Sequence, residues 1–535
     1  MTPEASPGLF GTLANSDAWP VLRILLHAAF FLTAFYVVKL VADLRTLADL
    51  RHLGRPKRSW TVPYAGLILL FSGVLLYQAT WQLTGQLRPQ FIAFMQTYDR
   101  RQFNPAHRIR RGRILDRRGK VLAYSEKQGD QIFRLYPYGP AFAHAVGYSD
   151  PRFGASGMEA AANAHLNGAL ANSLPAWAEL GRQLLTGKGS PRGQDLMLTL
   201  DAELQLLAAQ RLSGKRGAVV VLDPRDGAIR VLASAPTFDP NRITPELFRG
   251  SRPGAPLLNR ATQGLYPPGS TFKIVTAALA LERGFSGRID CPADGYVTSL
   301  HYRKIRDHEY YAARSAGRTW KGHGFLDLPT ALAKSSNVFF AKLGVGYGYD
   351  AFFSNAERFH FNGQISLYSD PYGSWDMRTG RVPEIARSDK YGLAQASIGQ
   401  GKILASPAHM ALIAAAIANR GLAIRPRIVA SDPAVVLARF LSAASARRLR
   451  GMLRKAVAEG TGRPIEVEGL AIAGKTGTAQ NPRGAAHSWF VGFAPADRPA
   501  LVVAVLVEHG GYGSATAAPI ARDLLLRADK LGMLR

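Results

Sequence analysis

No charged residue interrupts the stretch from Ser59 to Leu87, whose centre reads YAGLILLFSGVLLYQATW. A helix of that length crosses a hydrocarbon core of about 30 Å, and Trp60, Tyr77 and Trp81 suit its two interfaces. The pattern predicts a transmembrane helix over residues 60–83, and the rest of the chain must then be sorted to one side of a bilayer or the other. An earlier run, residues 19–42, is weaker: only Ile24 to Val38 is charge-free, and Arg23 and Lys39 would have to snorkel. It either spans or lies amphipathic on the surface. Between the two, the loop 44–58 sets Arg45, Arg51, Arg55, Lys57 and Arg58 against one acid, Asp49. The positive-inside rule keeps this loop in the cytoplasm and puts the body after Leu87 on the other side. No cleavable signal is expected, because the first residues are uncharged or acidic and the strongest apolar run comes late.

With 535 residues the chain is long enough for two or three folded units, and 47% hydrophobic content excludes a disordered protein. The net charge of +28 raises the question of nucleic acid. Arg is scattered along the whole chain without a zinc, helix-loop or aromatic RNA-binding signature, so no nucleic-acid partner is expected. A single cysteine, Cys291, excludes an internal disulfide and a cysteine-rich metal site. His301, His308, His323, His409 and His487 show no H-E-x-x-H spacing, and at His308-Glu309 the second histidine is replaced by Ala312. Neither a metal nor another cofactor is expected.

Beyond the anchor, residues 1–87, two regions differ in texture. Residues 88–191 are polar and rich in Arg and Gly, without sustained periodicity, and read as a stalk or docking module. Residues 192–535 open with AVVVLD, PRDG and AIRVLAS, two β-branched strands around a tight turn. They close with GLAIAGKTGTAQ, SWFVGFAPA and ALVVAVLVEHG, three further strands, and a helix over SATAAPIARDLLLRADKLG. Two strands, a mainly helical middle, three strands and a helix predict one antiparallel sheet built from both ends of an α+β domain.

Three short elements carry chemistry. In YPPGSTFKIVTAALALERG, the turn Pro267-Pro268-Gly269 ends an extended segment and places Ser270 where a helix begins. Free backbone N–H groups there favour an oxyanion. Lys273, one turn on, sits in a run that is apolar nearly all round, so it is buried or paired. Burial lowers its proton affinity, and a neutral amine beside a serine can take the serine's proton. In Lys334-Ser335-Ser336-Asn337, Ser335 and Asn337 lie between apolar blocks, where they either cap a helix or bond a neighbouring amine and a substrate amide. On a strand, Lys475-Thr476-Gly477-Thr478 offers Lys475 and Thr476 to a carboxylate, while Gly477 lets another backbone approach.

Each element is common by chance, but S-x-x-K, S-x-N and K-T-G in this order, 65 and 140 residues apart, form a triplet known from penicillin-binding proteins and class A β-lactamases. The chain resembles the class B penicillin-binding proteins, the monofunctional D,D-transpeptidases of peptidoglycan. RRGRILDRRGKVLA, GMEAAANAHLNG, GAVVVLDPRDGAIRVLASAPTFDPN, IGQGKILASPAHMA and KTGTAQ…HSWFVGFAP extend the resemblance from Arg110 to the C-terminus. It implies a serine β-lactamase-like transpeptidase domain, a five-stranded antiparallel sheet flanked by helices, at 192–535. A small pedestal at 88–191 and a membrane-spanning N-terminus would precede it, in the inner membrane of a bacterium.

The resemblance further implies that Ser270 is the nucleophile and Lys273 its base, with backbone N–H groups of Ser270 and Thr478 as oxyanion hole. Ser335 would relay a proton, Asn337 would hold the stem amide, and Lys475 with Thr476, Gly477 and Thr478 would bind the substrate's carboxylate end. His487 resembles a position common in the family, open to packing or to substrate contact. Stem peptides and β-lactams are the implied ligands, and the implied partner is a membrane glycan polymerase of the shape, elongation, division and sporulation group. A D,D-carboxypeptidase and a penicillin-sensing receptor or scaffold are the alternatives.

Overall fold

The computed structural model describes residues 110–129, 131–168, 193–249, 254–481 and 484–535, with Phe35, Lys39, Gly66 and residues 69–76. Residues 69–76 are helical, and Leu70, Phe71 and Leu75 are exposed on that helix. No helix among the described residues is long and apolar enough to cross a membrane. Apart from those positions, the expected segments 19–42 and 60–83 and the loop 44–58 lie outside the described residues. Residues 1–102 and 103–535 form separate units, and every strand among the described residues belongs to the second.

The first part of this second unit is a four-stranded sheet of β1 (Ile114–Leu115), β2 (Val121–Gln128), β3 (Gln131–Leu135) and β4 (Leu196–Met197), in the order β3-β2-β1-β4. Four residues of the stretch RRGRILDRRG, Arg111, Gly112, Asp116 and Gly119, have identifiable physical roles. A Cβ on Gly112 would lie 1.8 Å from the Gln194 carbonyl oxygen. Asp116 accepts from the N–H groups of Arg118 and Lys120, and from that of Ala202, which ties the small sheet to the following domain. Gly119 turns the chain at φ +81°. Arg111 and Arg134 converge on the fully buried Glu159, at 2.8 and 2.6 Å. Burial by itself would raise the Glu159 carboxyl, yet the two guanidinium groups hold it below the usual carboxylate range.

The larger part is built on β5 (Gly217–Leu222), β6 (Ile229–Ala235), β7 (Ala473–Ala479), β8 (His487–Ala494) and β9 (Leu501–Val507). The sheet is antiparallel throughout, in the order β7-β8-β9-β5-β6, so the first two strands dock beside the last and β7 is an edge. This is the expected five-stranded sheet closed from both ends of the domain. Its helices are α1 (Ala202–Arg211), α2 (Lys273–Glu282), α3 (His308–Ser315), α4 (Leu328–Lys334), α5 (Asn337–Arg358), α6 (Lys390–Ser397), α7 (Pro407–Ala418), α8 (Ala443–Ala458) and α9 (Ala517–Lys530).

Burial on both faces explains why LVVAVLV in β9 does not alternate with polar residues. Leu501, Val503, Val505 and Val507 share a core with residues of α1 and α9, whereas Val502, Ala504 and Leu506 belong to the core that holds α2, α5 and α7. Helix α2 lies inside that second core, with Ile274 to Leu281 all buried. A greasy helix needs such a site, and α4, α5 and α8 packed around it supply one.

Glu159→Ala leaves Arg111 and Arg134 buried without their carboxylate and is expected to lower the unfolding free energy by about 3–5 kcal/mol. Denaturant unfolding checks this, and a loss below about 1 kcal/mol would mean that water reaches the pair.

Candidate active site

The segment before Ser270 is clamped from three sides. Tyr266 exchanges both backbone hydrogen bonds with Ala405, the N–H of Gly269 donates to the Gly399 carbonyl, and Trp489 Nε1 on β8 donates to the Pro267 carbonyl at 2.9 Å. Gly269 has φ +54°, and a Cβ there would come within 3.0 Å of Ala479 Cα and the Thr478 carbonyl oxygen on β7. Ser270 does not open the α-helix directly. It lies in a 3-10 turn, Gly269–Phe272, which runs into α2 at Lys273.

Lys273 has no exposed surface. Its Nζ donates to the Ser335 carbonyl oxygen at 2.6 Å and to Asn337 Oδ1 at 2.7 Å, and lies 3.3 Å from Ser335 Oγ. A neutral amine has two N–H groups and one lone pair. In that form the two short bonds would use both N–H groups and leave the lone pair for the Ser335 hydroxyl, whereas in the charged form all three oxygens would be acceptors. Burial lowers the amine from its ordinary value to about 7, opposed by the charges of Asp307 and Glu309. Among the described residues no hydrogen bond joins Lys273 to Ser270.

In the S-S-N stretch the capping and the contact with Lys273 fall to different serines. Ser336, not Ser335, caps α5, accepting from the Phe339 N–H at 3.1 Å. Ser335 ends α4 in the left-handed region, at φ 59° and ψ 35°. A serine held there stores strain that the surroundings must offset, and its carbonyl and hydroxyl are thereby both turned to Lys273. Asn337 begins α5, and its Nδ2 donates to the Arg306 carbonyl at 2.9 Å, which orients Oδ1 toward the amine.

On the edge strand β7, Lys475 is 1% exposed and makes bonds to the Thr476 carbonyl oxygen at 3.0 Å and Thr461 Oγ1 at 3.4 Å. Burial, and then the nearby Lys273, push its amine well below the usual lysine range. Thr476 Oγ1 donates to Thr461 Oγ1 at 2.9 Å, and Thr478 Oγ1 accepts from the Gly513 N–H at 3.3 Å. A Cβ on Gly477 would meet Thr271 Cγ2 at 2.9 Å and the Pro268 carbonyl at 3.0 Å. That glycine lets β7 lie directly against the turn of Ser270.

The three elements therefore meet. Ser270, Ser335, Asn337, Thr476 and Thr478 line one cavity of about 310 Å³, with Lys304, Arg306, Glu309 and Lys334 among its charged walls. Two contributors escaped the sequence reading. Asp307, 3% exposed, accepts from Ser336 Oγ and from the N–H groups of Asn337 and Val338, so it anchors the start of α5. Thr461 bonds both Lys475 and Thr476; its one local sign is the glycine on either side, in EGTGRP. His487, open between packing and substrate contact, is packed: its Nδ1 accepts from the His509 N–H and its ring stands edge-on to Tyr266 at 5.7 Å.

A serine on a 3-10 turn that runs into a helix opened by a lysine, a second serine just past a helix end and a lysine on the edge of a five-stranded sheet are the arrangement of a serine acyltransferase of the penicillin-recognising class. Comparison with known proteins agrees. The profile of the penicillin binding protein transpeptidase domain matches residues 217–526, and that of the penicillin binding protein A dimerisation domain matches residues 111–195. The chain is 32% identical to the peptidoglycan D,D-transpeptidase PbpA of Mycolicibacterium smegmatis, over 77% of its own length and 88% of that protein's. It is 31% identical to the peptidoglycan D,D-transpeptidase MrdA of Acinetobacter baumannii, over 72% and 65%. The ceftriaxone acyl-enzyme complex of penicillin-binding protein A from M. tuberculosis superposes with a TM-score of 0.70 at 29% identity, covering 79% of this chain and 99% of that one. The chain belongs to the class B penicillin-binding proteins.

Gly477→Ala is expected to push β7 off the Ser270 turn and slow labelling by fluorescent penicillin about 100-fold. Stopped-flow labelling measures it, and a wild-type rate would show that the close approach is not required.

Proposed function

We propose that this chain is a peptidoglycan D,D-transpeptidase that cross-links stem peptides through an acyl-enzyme on Ser270, and that β-lactams acylate the same serine. The observation that carries the reading is the Lys273 amine, fully buried and hydrogen-bonded to the Ser335 carbonyl and Asn337, with the Ser335 hydroxyl beside it. Such an amine is a base near neutral pH rather than a fixed cation.

Ser270 Oγ attacks the carbonyl of the penultimate D-alanine as Lys273 takes its proton, an approach that closes when substrate draws the groups together. The N–H groups of Ser270 and Thr478 stabilise the oxyanion. Ser335, 3.3 Å from the Lys273 amine, passes the proton to the departing D-alanine nitrogen. The acyl-enzyme remains until an amine of a neighbouring stem attacks the ester and the proton returns along the same path. Asn337 holds the stem amide. Lys475 and Thr476 hold the terminal carboxylate, with Gly477 and Thr478 at the strand edge beside the peptide. The carboxylate also has an electrostatic role: arriving beside Lys475, it favours a proton on that amine, and a charged Lys475 then keeps Lys273 neutral.

The N-terminal residues, 1–87, would anchor the chain in the inner membrane, with the loop 44–58 cytoplasmic and the catalytic body outside. The exposed apolar side chains of Leu70, Phe71 and Leu75 support a lipid-facing helix there. The docking module, residues 88–191, and the anchor would meet a separate glycan polymerase of the shape, elongation, division and sporulation group, and residues 192–535 would form the catalytic domain.

Ser270→Ala is expected to abolish labelling by fluorescent penicillin; labelling at the wild-type rate would move the nucleophile elsewhere. Because neutral Lys273 is the reactive form and its amine lies at about 7, the acylation rate should rise about tenfold per unit below pH 7 and level above it. A flat profile between about pH 5.5 and 8 would remove Lys273 as the base. With purified lipid-linked substrate, cross-linked muropeptide dimers are the expected product, and trimmed monomers alone would make the protein a carboxypeptidase.

A further inference from the structure

Thr461 stands at the junction of two of the three reactive elements, although it belongs to neither. It lies in the turn between α8 and a 3-10 turn at Arg463–Ile465. Its backbone N–H donates to the Ala333 carbonyl at 3.2 Å, two residues before Ser335. The contact is close enough that a Cβ on Gly460 would lie 2.2 Å from that carbonyl oxygen. The turn is thus pinned to the end of α4. Its side chain reaches the other way: Thr461 Oγ1 accepts from Thr476 Oγ1 at 2.9 Å and lies 3.4 Å from Lys475 Nζ, and it faces the cavity.

The hydrogen-bond inventory makes this hydroxyl consequential. A protonated lysine has three N–H groups to satisfy. Among the described residues, Lys475, at 1% exposure, has the Thr476 carbonyl and the longer bond to Thr461. Among the described residues the protein thus supplies two of the three acceptors that a charged amine needs there, which leaves one for a ligand. A threonine hydroxyl has two lone pairs and one hydrogen. With the lone pairs turned to Thr476 and Lys475, the hydrogen is left to point elsewhere.

We propose that Thr461 is a positioning residue for recognition of the substrate's terminal carboxylate, spacing Lys475 and Thr476 and tying them to the segment that carries Ser335. This rests on the reading of Lys475 and Thr476 as the carboxylate holders. Its consequence is selectivity for donors that end in a free carboxylate, without participation in the attack by Ser270.

The test uses the full chain in detergent and two acyl-D-alanyl thioesters, one ending in a free carboxylate and the other in the corresponding methyl amide. Wild type is expected to favour the carboxylate donor. Thr461→Val should lower kcat/KM for that donor about 10- to 100-fold, mainly through KM, and leave the amide donor within about threefold. Thr461→Ser should restore the preference, and thermal unfolding checks that both variants fold. Equal losses with both donors, no loss with either, or a serine variant as poor as the valine one would each overturn the proposal. If wild type itself treated the two donors alike, the carboxylate reading of Lys475 and Thr476 would fall, and this proposal with it.

Discussion

The burial of one amine organises the molecule. An isolated ammonium in a dry helix-packed core costs several kcal/mol, and Lys273 sits in such a core with no exposed surface. Its accommodation requires acceptors brought from elsewhere, and these are the Ser335 carbonyl and Asn337 Oδ1. The backbone around Ser335 is bent to provide them: a non-glycine residue in the left-handed region, between the end of α4 and the start of α5. Asp307 makes that junction tenable by taking the N–H groups of Asn337 and Val338, which are among those a helix start leaves unpaired.

A second buried amine stands on the other wall. Lys475 comes from the sheet edge, and its proton affinity is lowered by its own burial and further by Lys273. Two such amines resist being charged together. The burial of each amine, and the charge of Lys273 beside Lys475, therefore work against protonating both. The site needs β7 close to the turn of Ser270, and two glycines allow it: Gly269 lies against Thr478 and Ala479, and Gly477 against the Pro268 carbonyl and Thr271.

Much of this was legible in the chain. The β-branched runs beginning at Gly217 and Leu501 are strands whose apolar residues do not alternate, because both faces of the sheet are covered. The apolar character of α2 announced a buried helix, and the charge within it announced a strained lysine. Finer assignments needed coordinates. Ser270 occupies a 3-10 turn rather than the first turn of α2, and the capping role open to Ser335 falls to Ser336. A one-residue shift of this kind depends on backbone angles that neighbouring side chains do not specify by themselves.

Asp307 and Thr461 were invisible for a different reason. Each acts on residues far along the chain, Asp307 on Asn337 and Thr461 on Lys475 and Ala333, and no local period or spacing records such a contact. The amino-acid sequence alone marked the three short elements, their order and the apolar surfaces that require burial, because these follow from residue types and short-range periodicity, while the reading of the elements as one site came from the resemblance of the triplet to the penicillin-binding proteins. Only the tertiary structure decided which groups face the two buried amines and in which direction their proton affinities move, because burial and hydrogen-bond supply are set by segments that meet solely in the folded chain.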